Sequence, residues 1–324
     1  MTGLPPRPRA VIDAHHHIWN LANDLPWLKQ ERVPFRYGDY SAICRDYLPE
    51  DYRRDTAGWP VVGSVYVEAE WNRAIAAQES RWVGDVATKT GVPSAIVAWC
   101  DFAAPEAEAL LAAHATVPQV RGVRHKPTAA ASPNEARRGA AGSMDDPLWR
   151  KGYEGLARHD LSYDLQTPWW HLDAAADLAR DVPQTAIIVN HTGLPADRSP
   201  EALTAWRRAL ETVAAQPNVS LKISGIGLPG QAWTVEANGP VIRDAIAIFG
   251  VERCMFASNF PVDGLIGDFD TIFTGFLAAT ADLTAEQRDR LFHDNAARIY
   301  RLPAADRQAG SSQGGDASWT GDTH

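Results

Sequence analysis

The sequence predicts an α/β chain folded as a distorted (β/α)8 TIM barrel with a long loop after its first strand. Eight short runs rich in Val and Ile alternate with helix-length stretches along most of the 324 residues. Near-continuous apolar runs of this kind suit parallel strands covered by helices. Histidines and other polar residues cluster at the ends of those runs, where barrel active sites lie. A doubly wound sheet would show a Gly-rich phosphate turn after its first strand, and His15, His16 and His17 stand there instead.

The predicted strands are Val11 to Asp13, Val61 to Glu68, Ser94 to Cys100, Val120 to Arg124, Leu161 to Gln166, Thr185 to Asn190, Val219 to Ser224 and Cys254 to Ser258. Helices are expected over Ala74 to Thr90 and Ala104 to His114. Ser199 followed by Pro200 reads as a helix start, and Thr284 with Gln287 forms a capping-box pair opening a last helix that ends near Arg298. Asn20 to Trp59 is a long connection broken by Pro26, Pro34 and Pro49. Such loops in compact domains are usually functional, so it is expected to cover the mouth and to supply Trp27, Arg36 or Tyr37. Residues 1–303 form the expected barrel domain, and the Gly/Ser/Asp-rich stretch 304–324 is expected to be a disordered tail.

Composition narrows the partners. With 45% hydrophobic and 22% charged residues the chain can bury a large core. A net charge of −9 argues against a nucleic-acid backbone or an anionic membrane, which leaves a small-molecule substrate. No apolar run is long enough to cross a bilayer, and the first residues lack the apolar segment of a signal peptide. Three scattered cysteines fit neither a disulfide framework nor a zinc motif, so a reducing cytoplasm is expected. Nothing in the sequence argues against a homo-oligomer. Of the 12 tryptophans, Trp19, Trp71, Trp99, Trp169 and Trp170 fall near predicted strand ends, as core packing or as the walls of a pocket.

The strongest chemical signal is Asp13-Ala14-His15-His16-His17-Ile18-Trp19 at the end of the first strand. Alternate side chains of a strand share a face, so His15 and His17 point together into the mouth. Paired imidazoles suit a divalent metal such as zinc, or paired hydrogen bonds to a substrate. Glu68, Arg124, His125, Lys126, Gln166, His191, Lys222, Ser224 and Asn259 occupy corresponding positions on the other strands. Asp13 reads as a supporting residue.

These motifs, in this order, resemble the amidohydrolase superfamily: D-A-H-x-H-x-W on strand one, Gly122-Val123-Arg124-His125 on strand four, Val189-Asn190-His191-Thr192-Gly193 after strand six, Lys222-Ile223-Ser224-Gly225 on strand seven and the closing Asn295-Ala296-Ala297-Arg298-Ile299-Tyr300. The likeness is greatest to its amidohydrolase-related (family 2) branch, which includes 2-pyrone-4,6-dicarboxylate lactonase and sugar lactonases. The resemblance covers roughly residues 11 to 302 and implies a TIM barrel that hydrolyses a carbonyl bond, often of a lactone. It matches His15, His17 and His191 to the family's histidines, the metal ligands where a metal is bound. Gln166 stands where the family's bridging ligand would be, so the expected cofactor is one divalent ion, zinc in the first instance, or none. At strand eight the family's water-activating Asp is replaced by Asn259. An amide has no useful basicity, so the base must be another group: His191, Glu68 or Asp263.

The expected function is hydrolysis of a lactone or related cyclic ester of a small carboxylate-bearing substrate. His15, His17 and His191 would polarise the carbonyl, and Arg124 and Lys126 would hold the acid group. His125, Gln166, Trp19 and Trp71 would complete the substrate pocket. A metal-assisted decarboxylase or a lactone isomerase on the same barrel is the alternative, and a non-catalytic binding protein is the third class.

Overall fold

The computed structural model describes residues 3–29 and 32–302, so the stretch read as a tail lies outside the described residues. All eight predicted strands form: β1 (Val11–His16), β2 (Val61–Val67), β3 (Ala95–Trp99), β4 (Val120–His125), β5 (Ser162–Leu165), β6 (Ile187–Val189), β7 (Val219–Ile223) and β8 (Cys254–Phe256). Each pairs in parallel with the next, in the order β1 to β8, and the result is a nearly closed TIM barrel. The interior is a small apolar cluster that includes Ile12, Ala14, Val65, Val97, Ile188 and Met255. A much larger cluster lies between the strands and the surrounding helices.

The helices begin where the sequence places them. Ser199 Oγ accepts from Ala202 N at 3.3 Å, and Pro200 opens the helix Pro200–Ala214, which buries Trp206, Leu210 and Val213 on one face. Thr284 and Gln287 make both bonds of the capping box. The segment after it ends on Tyr300, whose ring joins the barrel interior and whose hydroxyl donates to the Asp164 carboxylate at 3.0 Å. Lys222 pairs with the same carboxylate, both side chains being fully buried. Lys222 is thus part of a charged layer inside the barrel. The loop after β1 is less irregular than its composition suggests. It holds the short helices Pro26–Lys29 and Pro49–Asp55 and a 3-10 turn, Ser41–Ile43. No helix among the described residues is long and apolar enough to cross a membrane.

The seam between β8 and β1 is made beyond the end of β8. Asp13 Oδ1 accepts from Ser258 N at 2.8 Å, and Oδ2 accepts from Ser258 Oγ at 2.6 Å and from Tyr52 Oη at 2.9 Å. Asn259 N donates to His15 O at 2.8 Å, and His17 N donates to Phe260 O at 2.7 Å. The β1–β2 register shifts between Asp13 and His16. This bulge puts Asp13 and His16 on one side, both against Tyr52, with the His16 ring stacked on it at 4.2 Å.

Burial, followed by the neighbouring His17, pushes His16 down to about 3 from its ordinary 6.5. The unfolded chain therefore takes up this proton first as the pH falls. The stability His16 contributes is complete above pH 6.5 and is lost on the way down towards pH 3, by roughly 3 kcal/mol between pH 6.5 and 4. Urea unfolding across this range should show the loss, and His16→Gln should flatten the slope. An unchanged slope in the variant would contradict the assignment.

Candidate active site

The strand ends open into a cleft of about 580 Å³, within the range of small-molecule sites. His17, Trp19, Glu68, Arg124, Lys126, Gln166, His191 and Asn259 line it, and the loop after β1 adds Trp27, Phe35 and Arg36. His15 lies fully buried beneath, its ring centroid 5.1 Å from His17 and 4.7 Å from His191. Two of the expected pocket residues face elsewhere. His125 follows the inward Arg124, so the two-residue strand period turns it outward. There its Nδ1 accepts from Trp149 Nε1 at 3.0 Å, and its ring packs on Phe102. Trp71 follows Glu70, whose positive φ of 59° turns the chain away, and it packs on Trp82.

All three imidazoles are kept neutral, and two of them are held by hydrogen bonds. His17 Nδ1 lies 2.8 Å from Val67 O. A carbonyl only accepts, so this nitrogen carries the proton and Nε2 keeps its lone pair. Burial and then Arg124 push His17 down to about 4. His15 is held well below its ordinary range by burial and then by the Lys222 ammonium, and neither of its ring nitrogens has a partner. His191 lies in a turn with φ of 54°, followed by Thr192 at 53°. Left-handed backbone costs a non-glycine residue roughly 1–2 kcal/mol. The turn is retained by Thr192 Oγ1 donating to His191 O and by Trp206 Nε1 donating to Thr192 O. His191 Nδ1 meets Ser224 Oγ at 2.9 Å, which leaves Nε2 for the cleft. Burial, followed by Arg36, holds this ring well below its usual value.

The polar groups around the histidines are largely committed. Burial alone would raise the Glu68 carboxyl, but Arg124, Arg73 and Lys126 outweigh it and hold it below the usual carboxylate range. Glu68 accepts from Arg124 Nε at 2.7 Å and from Arg73 Nη1 at 2.6 Å. So occupied, it is a poor base. Arg124 also donates to Glu68 O at 2.7 Å and to Gln166 Oε1 at 3.0 Å. Lys126 is paired with Glu70, a residue the sequence reading missed. Arg124 is thereby largely committed, while Lys126, partly exposed at the cleft, shares its charge with Glu70. Asp263 sits behind Asn259, accepting from Asn259 Nδ2 at 2.7 Å and Tyr37 Oη at 3.1 Å. Burial, opposed by those bonds and by Arg36, raises it to about 6. The Asn259 amide is thereby fixed with its NH2 on Asp263 and its oxygen left for the cleft.

Donor chemistry at the cleft floor suits a divalent ion: His17 has the ligand tautomer, and His15 has two buried ring nitrogens without partners. No group of three or more His, Cys, Asp or Glu side chains is arranged to hold a metal among the described residues. The fit is therefore to the His15–His17 pair.

A parallel barrel with neutral imidazoles crowded at its strand ends has the build of an amidohydrolase-type enzyme. The chain belongs to the amidohydrolase family, whose model matches residues 12–302. It is 41% identical over 300 residues to the uncharacterized protein y4mH of Sinorhizobium fredii, covering 90% of this chain and 99% of that one. It is 30% identical over 310 residues to an L-fucono-1,5-lactonase of Burkholderia ambifaria, covering 92% of this chain and 98% of that one. The fold matches an amidohydrolase of Burkholderia multivorans crystallised with bound zinc, with a TM-score of 0.73, 26% identity and coverage of 91% of this chain and 100% of that one.

Gly225, which the sequence marks only as the end of the strand-seven motif, lies against His191. It has φ of 55°, and a Cβ there would lie 2.5 Å from His191 Nδ1. Gly225→Ala should displace the ring and lower kcat/KM by about 10²-fold while the protein stays folded. Activity kinetics beside circular dichroism check this; full activity in a folded variant would contradict it.

Proposed function

We propose that the protein is a lactonase, hydrolysing the ring ester of a small lactone in the cleft. The observation that carries the reading is that His191, with Nδ1 on Ser224, and Asn259, with its NH2 on Asp263, line the cleft together with His17. The B. ambifaria relative, named as a lactonase, supports the reaction class. Here His191 takes a proton from water through Nε2, while the Asn259 oxygen accepts the second water hydrogen and fixes the direction of attack. The new C–O bond forms at the ester carbonyl and the ring C–O bond breaks. The imidazolium of His191 then returns its proton to the departing ring oxygen, giving a hydroxy acid. Gln166, its oxygen taken by Arg124, has its NH2 left to donate to the substrate. His15 and His17 would hold a divalent ion such as the zinc of the B. multivorans protein; when bound it would polarise the carbonyl and stabilise charge developing on its oxygen. His17 presents a lone pair and no N–H at Nε2, so it cannot stabilise that charge by donating a hydrogen bond from there.

The test is a lactone panel followed by proton release, with products analysed in heavy-oxygen water. Wild type should open a lactone and place one solvent oxygen in the new carboxylate. His191→Ala should lower kcat by about 10²–10⁴-fold, the range of a lost general base. A product without solvent oxygen would point to the isomerase alternative, and carbon dioxide release to the decarboxylase; either overturns the proposal.

A further inference from the structure

We propose that Arg36 and Arg198 form a subsite for a carboxylate carried by the substrate, with Arg36 touching it and Arg198 supplying a second positive charge behind. The inference rests on the lactonase reading for the ester part of the substrate and adds the acid group. It begins from the other cations. Arg124 and Arg73 are bound to Glu68, and Lys126 to Glu70. Arg36, on the loop after β1, lines the cleft and has no carboxylate within ion-pair distance among the described residues. Its Nη2 makes one long contact, 3.4 Å to Gly227 O, and its buried Nε has no partner. Asp263 is the carboxylate it influences, and that group is already held by Asn259 and Tyr37.

Arg198 lies in the loop after β6, two residues beyond the cleft-lining Ala196. Its Nη2 donates to Ile226 O at 2.6 Å and lies 3.5 Å from Asn238 Oδ1, while its buried Nε and Nη1 are without partners. The two guanidinium groups are thus docked on consecutive carbonyls, Ile226 O and Gly227 O. Burial and then the charge of Arg36 depress Arg198 to about 10. Two cations docked on neighbouring carbonyls with N–H groups unused are costly unless an anion joins them. A planar carboxylate matches the guanidinium fork. After burial, Arg36 is also the largest influence on His191, so the acid group would lie close to the reacting centre. A neutral sugar lactone would leave this charge unbalanced; a lactone carrying a carboxylate a few bonds from its ring ester answers it.

Succinate is a probe independent of catalysis. Titration calorimetry should show it binding to wild type, binding at least tenfold more weakly to Arg36→Met, and recovering part of that loss in Arg36→Lys. Arg198→Met should weaken it by a smaller factor, with thermal melting to show that the variant is folded. In kinetics, the ratio of kcat/KM for a carboxylate-bearing lactone to that for its neutral methyl ester should fall at least tenfold in Arg36→Met, through KM. If wild type does not bind succinate, or Arg36→Met binds it equally well, the subsite is wrong. If binding depends on Arg36 but no lactone is opened, the subsite stands and the hydrolytic reading falls alone.

Discussion

The site depends on how a barrel with a very short last strand is closed. β8 spans Cys254–Phe256, too little to zip along β1, so the ring is completed beyond it. Asp13 takes four hydrogen bonds, two from Ser258, one from Tyr52 and one from the His15 backbone. The next two seam bonds run to the backbones of His15 and Asn259 and of His17 and Phe260. The groups that close the fold and the groups that present the chemistry are therefore neighbours in one chain segment. Buried acceptors of several donors are costly to disturb, typically by about 1–3 kcal/mol for each donor left unpaired. Such a seam resists drift in the positions of the histidines.

Charge is distributed in layers around the imidazoles. Below them, Lys222 and Asp164 are paired inside the barrel, and at one wall Glu68 is saturated by arginines. Burial and these cations keep His15, His17 and His191 neutral, the form that can accept a proton or bind a metal. Asn259 fits this arrangement. Its amide is oriented by Asp263 and offers an acceptor without adding a titrating group to the cleft.

Much of this was legible in the sequence. The Val/Ile runs marked all eight strands because parallel barrel strands are buried on both faces. The spacing of His15 and His17, and His191 after β6, identified residues that do meet. Local periodicity was less informative where a bulge intervened: it puts Asp13 on the side of His16, against Tyr52, and no pattern in Asp13-Ala14-His15 announces it. His125 could have been set aside by the same alternation that selected Arg124. The pairing of Arg124 with Glu68 joins residues 56 positions apart, which had been read in separate roles, as substrate holder and candidate base. Arg198 and Gly225 were illegible because their roles come from contacts between loops, with Ile226 and with His191.

The Asp13 seam positions the chemistry as well as closing the barrel, and the variant Asp13→Asn separates the two roles. Asparagine keeps the shape but turns one acceptor into a donor that faces other donors. The measurement is kcat/KM on an accepted lactone at a temperature where unfolding curves show the variant fully folded. A fall of at least about tenfold is predicted, since a displacement of about 1 Å at reacting groups can cost 10²-fold. A fully folded Asp13→Asn protein with wild-type kcat/KM would contradict the account.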